Sequence, residues 1–79
     1  MHKYLLEFII TTYNTSEEAI KNYLKEFGEA LEIYDCRKDE GKGKDFKINI
    51  NTEDPEMIFD ICSQFGRIKT IKINKEGIS

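Results

Sequence analysis

The side chains best able to perform chemistry are few and widely separated in this sequence. The chain has one histidine, His2, and two cysteines, Cys36 and Cys62. A zinc site needs a cluster of Cys and His ligands, and here there is neither a Cys-x-x-Cys pair nor a second histidine. Neither cysteine has a histidine near it in sequence to act as its base. These residues predict no metal, no cofactor and no catalytic nucleophile.

Carboxylate pairs are the next candidates for chemistry. Glu17 and Glu18 form one pair, and Asp54 and Glu56 form another. Each pair falls in the first turn of a predicted helix, where the helix dipole favours anions, so a structural role is expected rather than acid–base catalysis. The run Gly41-Lys42-Gly43-Lys44 lacks the spacing of a phosphate-binding loop and opens no helix. The sequence therefore predicts that the protein is not an enzyme.

A group of basic residues surrounds the polar, glycine-rich segment near position 40. It consists of Arg37, Lys38, Lys42, Lys44 and Lys47. Asp39, Glu40 and Asp45 dilute its charge, and binding to a nucleic-acid backbone relies on uncompensated positive charge. The group is still the place where RNA or single-stranded nucleic acid would bind, and this is the alternative hypothesis.

Two similar segments, 38 residues apart, must position all of these residues. The offset that carries Phe27 onto Phe65 also carries Phe8 onto Phe46 and Ile20 onto Ile58. Each segment reads as a strand, a helix and a strand, so the predicted order is β1-α1-β2-β3-α2-β4. The predicted fold class is α+β, a ferredoxin-like plait with an antiparallel sheet in order 4-1-3-2 and two helices on one face. Residues 1–79 are expected to form a single domain.

Local signals place the ends of these elements. Thr15 and Glu18 predict a capping box at the first helix, and Asp54 followed by Pro55 predicts the start of the second. Gly28 is expected to leave the first helix in a left-handed conformation. The third strand should turn Phe46, Ile48 and Ile50 inward and Lys47, Asn49 and Asn51 outward. Ile71 and Ile73 should give the fourth strand its inward face.

Several segments resemble the RNA-recognition-motif family in the same order along the chain. They are Tyr13-Asn14-Thr15-Ser16-Glu17-Glu18, Phe27-Gly28-Glu29, Gly41-Lys42-Gly43-Lys44-Asp45-Phe46 and Glu53-Asp54-Pro55-Glu56. The resemblance implies the plait fold and RNA as a ligand, which that family binds by stacking bases on outward aromatic side chains. Here the alternation turns Phe46 inward, and Glu7 takes the corresponding outward position on the first strand. Stacking of RNA bases on the sheet face is therefore not expected.

The plait also resembles the ACT family of regulatory ligand-binding domains at the level of the fold. That resemblance implies a small-molecule sensor, which is a further alternative. The turn after the first strand, Thr12-Tyr13-Asn14-Thr15, lacks the glycine that those domains usually place beside their ligand.

Composition favours a globular protein of the cytoplasm. Of the 79 residues, 39% are hydrophobic and 34% are charged, which is typical of a folded chain rather than a disordered one. The longest apolar runs are far too short to span a bilayer, so no membrane association is expected. Two cysteines without a secretory signal predict free thiols in the cytoplasm.

The charge is distributed unevenly. Residues 14–30 and 53–66 hold eight acidic residues and two lysines, a net charge of −6, so the rest of the chain must carry +3 to give −3 overall. The leading hypothesis is a non-catalytic binding or regulatory module that contacts another protein through this acidic helical face. The residues predicted to form the contact are Glu17, Glu18, Asp54, Glu56, Phe59 and Asp60.

Self-association is a separate expectation. A plait leaves its second and fourth strands as edges with unpaired backbone groups. Lysines on the fourth strand discourage pairing with another chain at that edge, whereas the second strand carries Tyr34 and Cys36 on its outward face. If the protein forms a homodimer, we expect a weak one through the second strand or the outward sheet face.

Overall fold

The computed structural model describes residues 3–36 and 43–76 of the chain. Its elements are β1 (Lys3–Thr12), α1 (Glu17–Leu24), β2 (Glu29–Asp35), β3 (Lys44–Thr52), α2 (Pro55–Ser63) and β4 (Gly66–Glu76). The strands form one antiparallel sheet whose order, counted from the β2 edge, is β2-β3-β1-β4. The two central strands, β1 and β3, therefore carry most of the core.

The core forms because β1 and β3 alternate in phase with each other. Their register pairs Leu6 with Ile50, Phe8 with Ile48 and Ile10 with Phe46, and all six side chains are buried. Both helices pack on this face, where α1 contributes Ile20 and Leu24 and α2 contributes Ile58 and Cys62. Burial of each such side chain contributes about 1.5–3 kcal/mol.

The predicted ferredoxin-like plait needs correction, and its fourth strand shows why. The structure supports a compact four-stranded antiparallel α+β fold with two short helices, in which Ile71 and Ile73 are 50% and 49% exposed rather than buried. The nine residues of α2 span about 14 Å, whereas the eleven of β4 span about 36 Å, so the helix cannot cover the strand. A shift of register between Glu7 and Ile9, with Thr70 at a φ of 57°, also interrupts the β1–β4 pairing.

The start of α1 also differs from the predicted capping box. Ser16, not Thr15, is the N-cap, and its Oγ accepts a hydrogen bond from the backbone N–H of Ala19 at 3.1 Å. Thr15 instead presents its carbonyl oxygen to the Oγ1 of Thr12 at 3.1 Å. Three consecutive polar residues made either position plausible from sequence, because serine and threonine are both good N-caps.

The two glycines that follow the helices are required by close packing and not by a left-handed backbone. A Cβ on Gly28 would lie 2.6 Å from the carbonyl oxygen of Asn51, and one on Gly66 would overlap the carbonyl oxygen of Thr11. Neither glycine has the positive φ that was expected for Gly28. Positive φ occurs instead at Ala30, which lies where the β2–β3 register shifts, and at Thr70.

The two cysteines are expected to differ sharply in reactivity. Cys36 is exposed, whereas Cys62 is buried, and burial raises the pKa of the Cys62 thiol to about 12. Because the thiolate is the nucleophile, iodoacetamide at pH 8 should modify Cys62 more than about tenfold more slowly than Cys36. Mass spectrometry of the native protein checks this, with the protein in denaturant as the control in which both react. Equal native rates would contradict the buried position.

The same burial gives a pH dependence with a definite sign. The Cys62 thiol has an ordinary pKa of 9.0, which burial raises to about 12 in the folded protein. Above pH 9 the unfolded chain loses this proton while the folded chain keeps it, so the contribution to stability is full below pH 9 and declines as the pH rises towards 12.

Candidate protein-interaction surface

The start of α2 is fixed by a set of local hydrogen bonds. Asp54 is the N-cap, and its Oδ1 accepts from the backbone N–H of Met57 at 3.2 Å. Pro55 occupies the first turn, where its missing N–H needs no partner. Glu56 also lies in the first turn, so its carboxylate interacts favourably with the helix dipole. The Asp54 side chain thus helps to hold the helix, whereas the Glu56 side chain is exposed.

A buried threonine ties this helix start to the rest of the fold. The Oγ1 of Thr52 donates to the carbonyl oxygen of Phe27 at 2.9 Å and accepts from the backbone N–H of Asp54 at 3.0 Å. Thr52 is 3% exposed. It joins the residues after α1 to those before α2 through the end of β3. Sequence reasoning missed this residue, although a hydroxyl-bearing side chain just before a helix cap is a usable signal.

The outer side of α2 combines acidic residues with one apolar residue. Glu56, Met57 and Asp60 are exposed, and α2 has no basic residue in its last turn. Phe59, predicted as the apolar anchor, is half-buried and packs edge-on against Phe8 with ring centroids 5.4 Å apart. Met57, which is 40% exposed, is the large apolar side chain available to a partner.

The acidic residues of α1 lie at the other end of the sheet. α1 follows the end of β1 at Thr12, whereas α2 follows the end of β3 at Thr52. Because β1 and β3 are antiparallel, with Tyr4 opposite Thr52, these two ends are roughly 27 Å apart. The exposed pair at the start of α1, Glu17 and Glu18, is thus not brought together with Asp54 and Glu56.

The two helices also differ in how their charges are balanced. On α1, Lys21 follows Glu17 by four residues, a spacing that favours interaction between opposite charges. On α2 no lysine or arginine occurs at all. The acidic helical face predicted from sequence therefore divides into a mixed surface on α1 and, on α2, acidic residues with no lysine or arginine on the same helix.

A depression of about 410 Å³ adjoins the start of α2. Its lining includes Glu26, Phe27, Glu53 and Asp54, and Phe27 is 40% exposed there. Lys3 also borders it and forms an ion pair with Glu29, with Nζ and Oε1 2.9 Å apart. The side chains around this depression are therefore mainly acidic, and Phe27 adds apolar surface.

The basic residues of the nucleic-acid hypothesis are only partly described. Arg37, Lys38 and Lys42 lie outside the described residues. Lys44 is exposed, and the Nζ of Lys47 lies 3.0 Å from the Oε2 of Glu7. The hydrogen bond from Lys47, with its charge, lowers the pKa of the Glu7 carboxyl. On the outward sheet face Lys47 therefore presents a positive charge that a carboxylate already compensates.

The turn between β1 and α1, where the small-molecule alternative would place a ligand, borders an open cavity of about 610 Å³. Its lining combines polar and apolar surface and includes Tyr13, Asn14, Ser16 and Lys44. Ser16 already caps α1 there. No polar group in this lining is left buried without a hydrogen-bond partner among the described residues, so nothing in the cavity identifies a ligand.

The edge predicted to mediate a homodimer is partly occupied by its own side-chain contacts. The hydroxyl of Tyr34 donates to the Oε1 of Glu32 at 3.1 Å, and this bond raises the pKa of Tyr34. Tyr34 remains 49% exposed, and Cys36 is exposed beyond it. Association through this edge stays a prediction.

Neither a metal site nor a membrane span is found within residues 3–36 and 43–76. No group of three or more His, Cys, Asp or Glu side chains is arranged there to hold a metal ion. Neither helix in this part of the chain has the length and apolar character needed to cross a membrane.

Comparison with known proteins places the chain in a family. Residues 1–75 match the family model of the FakA-like middle domain, whose description likens it to one of the subunits of fatty acid kinase. Neither the curated proteins nor the solved structures contain a significant match. Because the family model covers nearly the whole sequence, the chain belongs to the FakA-like middle-domain family, which is named for fatty acid kinase.

Proposed function

We propose that this chain is a non-catalytic module of a fatty-acid-kinase-type system and that it contacts another protein through α2. The observation that carries the proposal is the family match over residues 1–75, because the family is described as a middle domain like that of one kinase subunit. Subunits work together with other protein chains, and the sequence contains no recognisable catalytic constellation. The free thiols expected of the two cysteines are consistent with action in the cytoplasm.

Charge and exposure favour α2 as the contact surface. Glu56 and Asp60 lie four residues apart, on one side of the helix, and both are exposed without a basic neighbour on α2. Met57 supplies an exposed apolar side chain beside them, and flexible methionines are common in binding surfaces. A partner with a basic surface around an apolar pocket fits this arrangement, since complementary charge raises the association rate and excludes wrong partners.

Charge reversal on α2 tests the proposal. The protein carrying Glu56→Lys and Asp60→Lys should capture its partner from a lysate of its native host at least about tenfold less well than the original protein. Both side chains are exposed, and neither makes a hydrogen bond to α2 within the part of the chain that the structure describes, so the fold should be retained. Quantitative mass spectrometry of the captured proteins measures the loss, and circular dichroism verifies the fold.

The matched control is the same change of charge on α1. Glu17→Lys with Glu18→Lys alters the net charge equally but at the opposite end of the sheet, and it should leave capture unchanged. If the α2 variant captures the same proteins as the original in the same amounts, α2 is not the contact surface. If the α1 variant loses the partner instead, the contact lies at the other end of the molecule.

A further inference from the structure

The outward face of the sheet, opposite the helices, carries a depression above the middle of β3. Its volume is about 260 Å³, and its lining consists of Leu5, Glu7, Ala30, Glu32, Asn49 and Asn51. The two asparagines form its floor, because β3 lies between β1 and β2. The side chains of β1 and β2 form its walls.

Two hydrogen-bond acceptors in this floor have no partner. The Oδ1 atoms of Asn49 and Asn51 are buried from solvent and accept no hydrogen bond within the described residues. A buried acceptor without a donor is costly, so native proteins usually supply it with a protein donor, an ordered water or a ligand. Here two such atoms occur two residues apart on one strand.

The surrounding side chains explain why these acceptors are unpaired. The Nδ2 of Asn49 donates to the Oε1 of Glu32 at 3.4 Å, and the same oxygen also accepts a hydrogen bond from the hydroxyl of Tyr34. The ammonium of Lys47 forms an ion pair with the carboxylate of Glu7. The depression therefore contains two carboxylates and two carboxamide oxygens, and the carboxylates engage the Nδ2 of Asn49 and the ammonium of Lys47 beside it.

The ligand that fits is one that brings several donors and a positive charge but no acceptor. A guanidinium group has five N–H donors, no acceptor and a fixed positive charge. Its planar fork can meet a carboxylate and a carboxamide oxygen together, and its alkyl stem can pack on Leu5 and Ala30. We propose that this depression binds an arginine side chain of a protein partner.

This surface is separate from the one on α2. The depression faces away from the helices. The proposal therefore goes beyond the function proposed above, and its test is independent of the test of α2. A nucleobase is the competing occupant, because it also hydrogen-bonds carboxamides. It is disfavoured because its attached phosphates would approach Glu7 and Glu32.

The test uses the whole chain and a minimal probe. N-acetyl-arginine amide is titrated into isotopically labelled protein, and the side-chain amide resonances of Asn49 and Asn51 are followed by NMR. We expect saturable shifts with a dissociation constant on the order of millimolar. The citrulline analogue, which has the same shape without the charge, should bind about tenfold more weakly or not at all.

Three variants make the result specific. Asn51→Leu removes an acceptor and should weaken arginine binding about tenfold, whereas Asn51→Asp adds a charge and should strengthen it. The control is Asn74→Leu, because Asn74 pairs with Leu5 from β4 and shares the outward face but lies outside the depression. It should bind arginine as the original protein does.

Several results would overturn the proposal. They are the absence of saturable shifts, equal binding of the citrulline analogue, and equal loss of binding in the Asn74→Leu variant. Binding of uridine monophosphate with shifts at the same asparagines, without binding of arginine, would assign the depression to nucleic acid instead.

Discussion

Gly66→Ala is expected to lower the melting temperature by about 12 °C or more, a large effect for a single added methyl group. The added Cβ would overlap the carbonyl oxygen of Thr11 and lie 2.8 Å from its carbonyl carbon. Both are backbone atoms of the central strand β1, so no side-chain rotation relieves the clash. Separation of β4 from β1 should cost about 3 kcal/mol or more, which for a domain of this size corresponds to that temperature shift.

Gly43→Ala is the matched control for this prediction. There the added Cβ would lie 2.9 Å from the Cε1 of the exposed Tyr13 and 3.1 Å from the nearest backbone atom, the carbonyl oxygen of Thr12, so the clash is much milder. The expected cost is about 1 kcal/mol. Thermal and urea denaturation of both variants measure the difference. A Gly66→Ala variant as stable as Gly43→Ala would show that β1 and β4 do not approach as closely as described.

Thr52→Val is expected to destabilise the fold by about 2–4 kcal/mol. The change preserves shape and volume but removes the hydroxyl that donates to Phe27 and accepts from Asp54. Each of the two backbone groups then loses its partner, at a cost of about 1–3 kcal/mol when the group stays shielded from water. Since Asp54 caps α2, the helix start should loosen, and its amides should exchange hydrogen faster than those of α1.

Thr52→Ser separates the hydroxyl from the methyl group. It keeps both hydrogen bonds and loses only the packing of one methyl, so its cost should stay near about 1 kcal/mol. Urea denaturation with hydrogen exchange on α2 distinguishes the two variants. If serine and valine destabilise equally, the role of Thr52 is packing and not the connection between the helices.

Much of the framework could be predicted from sequence because it depends on local chemistry. The N-cap Asp54, followed by Pro55, starts α2 where predicted. The side chains of Phe46, Ile48 and Ile50 are buried on the inward face of β3, as their alternation predicted. The register shift beside Thr70 could not be foreseen, since it arises from the pairing of two strands about 60 residues apart in sequence. Ile73 lies on the predicted inward face, since it pairs with the buried Leu6, but Ile71 and Ile73 stay half exposed because the short α2 does not reach over them.

The candidate surface shows a similar limit. The acidic residues were evident in the sequence, but their division between opposite ends follows from the antiparallel pairing of β1 with β3. Phe59 and Met57 occupy positions two residues apart on one helix, and only the contact with Phe8 shows that the phenylalanine belongs to the core. The unpaired oxygens of Asn49 and Asn51 depend on neighbours from three strands, which no local pattern contains.

The packing of the two glycines links the repeated halves of the chain. Gly28, in the first half, lies against the end of β3, and Gly66, in the second half, lies against the end of β1. β1 likewise pairs only with β3 and β4 among the described strands, and both come from the second half. Neither half can bury its own central strand without the other, so folding must bring distant segments together before any core forms. We therefore expect cooperative folding that is slow for a chain of this length, with no stable half-folded state.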